Sequence, residues 1–589
     1  MYKKIDKSGN IYICETFRIG SKTSSRTVSK LGTLSNLMEK NNWTEQQVLD
    51  WVDQKAKEMT KEAKEQSGAV TIKLSKSKRI PKDQIRSIRI GYLFLQSIYY
   101  SLDIPKILDE ISEHYHFQYS LNDVFSCLVF NRAIEPASKR KSFLLKNDYP
   151  ESWAFKQGDI YRALSVLGAH SNAIQQKIFQ NSRKIMNRNT SVLYYDCTNF
   201  YFEIEEADES KFRSYGKSKE NRPNPIVQMG LFMDTDGIPL RMSIFPGNQN
   251  EQISIDKTAI REICRNYEIG QFVYCADAGL GSSKIKEALN GYAFPCAYIV
   301  TQSIKKLPAK EKVWALDENR NEYWFYRKYD PISKQIMTQK TLFDEIQQDK
   351  KNNNIYYREK WHWNKNGKPE RLIVTFSPKY AHYLAEKRDR QLERAEKKLD
   401  NAGKRKGIND PARYVKETHI TEDGEIADTT LYEIDQEKVI DEARYDGFYA
   451  LATDLEDGID TIIEASKQRW MIETGFREMK SYLDARPVYV RREERIQAHF
   501  LICFVALTLI QILKKALSNP YTTEELLETL RKMRLHVLGN HGYDPDFTRT
   551  DLTDDLIDVF DLPLDQEFIS DLRLKQIINR TKKKRKIST

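Results

Sequence analysis

From Val192 to Val300 the chain alternates short apolar runs with polar turns. Val192-Leu193-Tyr194-Tyr195 is an apolar run that ends on Asp196. Ile226–Phe232 and Ile238–Phe245 are two more, separated by Asp234-Thr235-Asp236-Gly237. An Asp-Gly turn between such runs is a strong hairpin signal. Ile255, Ala259 and Ile263 recur at a spacing of four, which predicts a helix over 253–267. Phe272–Ala276 is a fourth apolar run and ends on Asp277, followed by a helix over 282–289 and a strand over 297–300. The predicted order is strand, strand, strand, helix, strand, helix, strand.

The flanking patterns divide the rest. Residues 1–66 read as a small strand and helix region, and the Lys/Ser-rich stretch 67–84 as a linker. Residues 85–188 are helical throughout and form a candidate DNA-binding domain: Arg132, Lys139, Arg140 and Lys141 cluster near Ser138. A helical bundle with a solvated basic edge explains that cluster equally well. The first part of an α/β core covers 189–301, and an inserted, mostly β domain rich in Lys, Tyr and Trp covers 302–445. Within the insertion, 387–406 is a charged helix candidate with nine basic and four acidic residues. The core resumes at 446–495, with a strand over 447–453 and a long helix over 458–483. Residues 496–589 are a helical C-terminal region with an apolar helix at 496–516, an acidic stretch over 551–561 and a basic tail, Lys582-Lys583-Lys584-Arg585-Lys586, read as a solvated end.

Composition changes this picture little. The 589 residues carry 94 basic and 84 acidic side chains, a net charge of +10, which suits contact with a polyanion over part of the surface. The seven cysteines form no C-x-x-C pair, which argues for a reducing compartment and against a structural zinc site. The opening Met1-Tyr2-Lys3-Lys4 does not read as a signal peptide, and the apolar run Phe500–Ile510 is short of the roughly 20 residues that span a bilayer. A cytoplasmic protein follows as the expectation.

Asp196 and Asp277 close the first and fourth strands of the predicted order, which is the order of an RNase H-like domain; in that fold those two strands lie side by side. A lone aspartate at a strand end is usually a turn residue, but two at these positions suggest a shared site. Cleaving a phosphodiester calls for charge stabilisation at both the attacking and the leaving oxygen, which two divalent cations about 3.5–4 Å apart supply. Magnesium demands hard oxygen ligands. A third carboxylate is offered by Glu473: at about 100° per residue, Arg469, Glu473 and Lys480 fall within about 40° of one another on a helix. A solvated Arg–Glu stripe at i,i+4 gives the same spacing.

These residues resemble the DDE transposases of bacterial insertion sequences, in the family four group whose third block reads Tyr-x2-Arg-x3-Glu-x6-Lys. Arg469, Glu473 and Lys480 match that block, while Ser466 stands at the Tyr position. Tyr195-Asp196-Cys197-Thr198 resembles the first Asp block and Asp277-Ala278-Gly279-Leu280 the second. Gly216-Lys217-Ser218-Lys219 with Arg222-Pro223 resembles a G-x-S-K-D-x-R run, with Glu220 in place of Asp. Asp236-Gly237-Ile238-Pro239 and Pro246-Gly247-Asn248 with Glu251 resemble the hairpin and its exit. In that family a β-rich insertion lies between the second Asp and the Glu; here the interval is 196 residues (473 − 277).

The resemblance implies an α/β RNase H-like core, a mixed five-stranded sheet with helices, in which Asp196, Asp277 and Glu473 are catalytic and bind metal: two Mg²⁺ ions per active site, with Mn²⁺ as the alternative. It implies phosphate contacts from Arg469 and Lys480, joined by Lys217, Lys219 and Arg222. Among the insertion tryptophans Trp314, Trp324, Trp361 and Trp363, any one is a candidate to stack on an unpaired base. The implied partners are double-stranded DNA, as terminal inverted repeats and as target, and a second copy of the chain in the synaptic complex. The implied setting is the bacterial cytoplasm, at the nucleoid. Two alternatives stand beside cut-and-paste transposition: an RNase H-like nuclease that does not join, and an idle transposase-derived DNA-binding protein.

Overall fold

The computed structural model describes all residues except 7, 20–21, 68–75, 78, 81, 209, 255–256, 271, 291–295, 318–321, 331–333, 349–352, 398–409, 421–428, 519–520, 540 and 588–589. Most of the predicted linker, the C-terminal part of the predicted charged helix and Ile255 therefore lie outside the described residues. The chain forms two compact units, Met1–Gln84 with Leu538–His541, and Ile85–Val537 with Gly542–Thr589.

The first unit is built on an antiparallel three-stranded sheet, Tyr2–Ile5, Asn10–Ile19 and Lys22–Thr33. Thr33 caps the helix Leu34–Asn41 by accepting from the Asn36 amide at 3.3 Å, and Asn42 ends it in the left-handed conformation. The next helix, Glu45–Ser67, buries Val48 and Val52 against Ile11, beside Trp43 and Trp51, whose rings lie 5.8 Å apart.

The second unit is a mixed α/β body around one large sheet. Its strands are β1 (Val192–Tyr201), β2 (Ile226–Met233), β3 (Pro239–Pro246), β4 (Val273–Ala276), β5 (Ala297–Thr301), β6 (Trp324–Asp330), β7 (Gln335–Thr341), β8 (Tyr356–Trp363), β9 (Pro369–Phe376) and β10 (Phe448–Thr453). Their order across the sheet is β7-β6-β8-β9-β10-β5-β4-β1-β2-β3. β1, β2 and β3 run antiparallel, while β1, β4 and β5 are parallel, so the expected adjacency of first and fourth strands is present. The Asp-Gly turn forms as read: Asp234 accepts from the Asp236 and Ile238 amides at 3.1 and 2.9 Å, Gly237 takes φ 70°, and buried Arg188 pairs with the Asp234 carboxylate.

The sheet has ten strands rather than the expected five. β10 adds antiparallel to β5, and the insertion strand β9 adds to β10. Four insertion strands thus continue the core sheet. A period-two pattern shows that a segment is a strand but not which edge it joins. The helix read over 458–483 is two, Ile459–Lys467 and Trp470–Ser481. Between them the Arg469 and Met471 amides bond to the carbonyls of Ser466 and Gln468, a tightened turn that the apolar pattern does not reveal.

The apolar run around Phe500–Ile510 belongs to a 24-residue helix, Glu493–Ala516, long and apolar enough to span a bilayer by length and composition. Its burial places it otherwise, at the centre of the protein core. Phe500 packs on Phe200 of β1 with ring centroids 4.7 Å apart. A methyl at Gly168 would come within 1.7 Å of the Glu494 carbonyl oxygen, so helix Gln157–Ala169 lies directly against this central helix. The basic tail is not a solvated end. Lys582 reaches Glu151 at 2.8 Å, Lys584 reaches Asp103 at 2.7 Å, and the Ile587 amide donates to the Ile185 carbonyl at 2.8 Å.

Candidate active site

The register of β1 and β4 places Asp196 and Asp277 at one level. Val192 pairs with Val273 and Tyr194 with Cys275; continuing that pairing two residues further matches Asp196 with Asp277. Asp196 remains within β1, whereas Asp277 has just left β4 and caps the short turn Ala278–Leu280, accepting from the Gly279 and Leu280 amides at 2.9 and 3.2 Å. Asp196 accepts from the Cys197 amide at 2.7 Å. Burial pushes the Asp196 carboxyl up to about 6, opposed by Lys219 and Arg469 and reinforced by the charge of Asp277. A half-hidden carboxylate beside a second one is short of positive charge, which is the environment a divalent cation relieves.

The helix Trp470–Ser481 faces this edge, packed on β1 and β2. Gly475 permits the approach: a methyl there would lie 2.3 Å from the Met233 terminal carbon on β2. Glu473 is exposed and 3.5 Å from the Arg469 guanidinium. The Arg469 charge acts on Asp196 as well, so the same guanidinium serves the glutamate and one of the aspartates. Among the described residues, no three His, Cys, Asp or Glu side chains are gathered closely enough to hold a metal ion. The aspartate pair fits a hard cation by donor type and charge, but Glu473 is not assembled with it in this arrangement.

The predicted phosphate contacts divide. Lys219 donates to the Cys197 carbonyl and lies 3.4 Å from Glu251. Lys217 is exposed, and its carbonyl accepts from the Asn199 side chain at 3.1 Å. Arg222 is exposed and stacks over the Tyr201 ring, 4.5 Å from its centroid. Lys480 faces inward instead, over the Phe200 ring and 3.2 Å from Glu220; burial, with Lys219 nearby, pushes it down to about 8. Glu220 also pairs with Arg486. The carboxylates that neutralise these cations, Glu220 for Lys480 and Glu251 for Lys219, entered the sequence reading only as positions of the resembled blocks, and Arg486, which shares Glu220, was not identified. Glu220 stands where the resembled run carries Asp, and Glu251 belongs to the resembled hairpin exit.

Ser466, at the position usually held by Tyr, is buried on the helix Ile459–Lys467. Of the four tryptophans, Trp324 is fully buried and donates to Asp317 at 2.9 Å, which removes it as a base-stacking candidate. Trp314 is half-buried and donates to Glu322 at 2.7 Å. Trp361 and Trp363, on β8, remain exposed.

Residues 190–509, more than half of the sequence, match the family described as Transposase DDE domain, and the chain belongs to that family. The match spans Asp196, Asp277 and Glu473 and includes the insertion strands. Among solved structures, the chain is similar to a piggyBac transposase in a synaptic complex with hairpin DNA, at 9% identity and a TM-score of 0.35, covering 77% of this chain and 82% of that one. No curated protein matches the sequence.

Proposed function

We propose that this protein is a cut-and-paste DNA transposase that cleaves at transposon ends and transfers the freed strand into target DNA, acting on an RNase H-like core. The observation that supports this reading is that the parallel pairing of β1 with β4, continued two residues, brings Asp196 level with Asp277, whose charge acts on it, within the sequence matched by the family. Asp196, Asp277 and Glu473 are the residues that would hold two Mg²⁺, or Mn²⁺. Such a pair supplies, when bound, charge stabilisation at both oxygens of an in-line displacement.

The chain's own residues supply position. Asp277 is fixed by two backbone amides and Asp196 by one, so neither carboxylate must be ordered when DNA arrives. Arg469 is released from Glu473 when the glutamate turns toward the aspartates, and its planar guanidinium then meets a phosphate. Lys217, Lys219 and Arg222 lie on the segment that leads from β1 to β2 and hold the strand backbone beside it. Lys480 reaches a phosphate only on leaving Glu220. Two copies of the chain, each holding one end on double-stranded DNA in a bacterial nucleoid, complete the synaptic arrangement.

The test is cleavage and strand transfer on a duplex carrying the element's own terminal repeat. Asp196→Asn and Asp277→Asn abolish both reactions and keep end binding. Cleavage at the wild-type rate by either variant overturns the assignment, and cleavage without joining by the wild type reduces the function to that of a nuclease.

A further inference from the structure

The helical region and the segment after the glutamate helix line a cavity of about 750 Å³ in which seven of the sixteen lining residues are Lys or Arg. Arg132, Lys139, Arg140, Arg486, Arg491, Arg492 and Arg495 line it, and Asp484 is the single carboxylate among the lining residues. Two of these cations are built into the wall rather than set on a solvated edge. Arg132 is buried, donating to the carbonyls of Leu483 and Asp484 at 3.0 Å each and of Ala137 at 3.1 Å, while its Nε has no partner. Lys139 is buried too, with its ammonium 3.1 Å from Nδ1 of His499. The other ring nitrogen of His499 lies 3.0 Å from the Ala485 carbonyl oxygen. Arg140 and Arg491, at the mouth, are exposed.

Several positive charges held together in a protein wall repel one another, and their shared field concentrates anions. Guanidinium groups favour phosphate oxygens, which they can grip in pairs. The cavity lies within the size range of small-ligand sites, about 300–1,000 Å³, and admits a phosphate with its flanking sugars. Burial also pushes the Lys139 ammonium down to about 7, so the charge it keeps is one that a bound anion would stabilise. The cavity adjoins the candidate active site through one side chain, because Arg486 both lines it and pairs with Glu220, the partner of Lys480.

We infer that this cavity binds backbone phosphates of a DNA strand running from the candidate active site onto the helical region, a second anchoring point apart from the three carboxylates. The choice of DNA over free phosphate rests on the proposed function; the anion site itself does not.

The experiment uses the full chain and a labelled 30-base-pair duplex, with affinity measured across a range of salt concentrations, and inorganic pyrophosphate in a parallel titration. Arg140→Gln/Arg491→Gln changes exposed residues, and its unfolding midpoint is checked against wild type. Each phosphate contact contributes about 0.9 to the slope of log affinity against log salt, so the double variant is expected to lower that slope by about two. Lys139→Met, which removes a buried charge, should lower it as well. An unchanged slope in both variants overturns the inference, as does a loss confined to pyrophosphate, which would mark a site for free phosphate. If wild type binds through the cavity but never cleaves, the inference stands and the proposed function fails.

Discussion

The Lys480 ammonium stands 3.2 Å from a carboxylate oxygen of Glu220, and both side chains are mostly buried. Arg486 meets the other oxygen of the same carboxylate. One anion thus bridges a cation in the glutamate helix's last turn and one beyond it, and offsets half of their charge. Glu220→Gln leaves both without a counter-charge and should cost about 2–4 kcal/mol of stability at neutral pH, measured by urea denaturation. Glu220→Asp, which restores the residue type of the resembled motif, should recover most of it. A Gln variant as stable as wild type would show that the triad contributes nothing to the fold.

Lys139 gives a pH signature. Its folded-state value is pushed from 10.5 down to about 7 by burial first and Arg132 second, with Cys503 opposing, and His499 faces it from the central helix. The unfolded chain therefore holds more protons than the folded one between about 7 and 10, and stability rises with pH in that window. Below about 7 the cost of the buried charge is fully present. Lys139→Met should be more stable than wild type at pH 7 by about 2–4 kcal/mol, with the gap closing toward pH 10. Parallel stability curves for the two proteins would contradict this.

Arg469 competes for the same carboxylates as a metal would. Its guanidinium is 3.5 Å from Glu473 and acts on Asp196. Arg469→Ala should tighten Mn²⁺ binding several-fold, since a partly exposed ion pair of this kind is worth about 1 kcal/mol or less. The same variant should lose strand cleavage, because the phosphate contact goes with it. Unchanged Mn²⁺ affinity would place Arg469 outside the carboxylate cluster.

Gly475 sets how closely the glutamate helix approaches β2. Gly475→Leu must displace Met233, and overpacking of this kind costs about 1–3 kcal/mol. The displaced helix carries Glu473 away from the sheet, so cleavage should fall more than end binding does. Adding Met233→Ala makes room and should restore part of both, a coupling that a double-mutant cycle reads directly. Additive effects would mean the two residues do not touch.

The two aspartates were legible in the sequence because each ends a short apolar run and the runs follow a recognisable order. The Asp234–Gly237 turn was legible for the same local reason. What escaped was set by tertiary partners. Nothing in Pro369–Phe376 says that it pairs with Phe448–Thr453, so the sheet was expected to stop at five strands. The tightened turn at Gln468–Arg469 breaks a helix whose side-chain pattern runs on unbroken. Arg132 and Lys139 read as surface charges because burial of a cation depends on carbonyls that arrive from Leu483, Asp484 and, for Lys139, on His499. Glu473 matched its motif, yet its partner here is Arg469 and not the aspartates.

The most direct test of the three-carboxylate site is a Mn²⁺ titration followed by electron paramagnetic resonance, on full-length protein bound to transposon-end DNA. Wild type, Asp196→Asn, Asp277→Asn and Glu473→Gln are compared. Two bound ions are expected in the wild type and loss of at least one in each variant, with Glu473→Gln as impaired as either aspartate change. Wild-type stoichiometry and affinity in Glu473→Gln would show that the glutamate never joins Asp196 and Asp277.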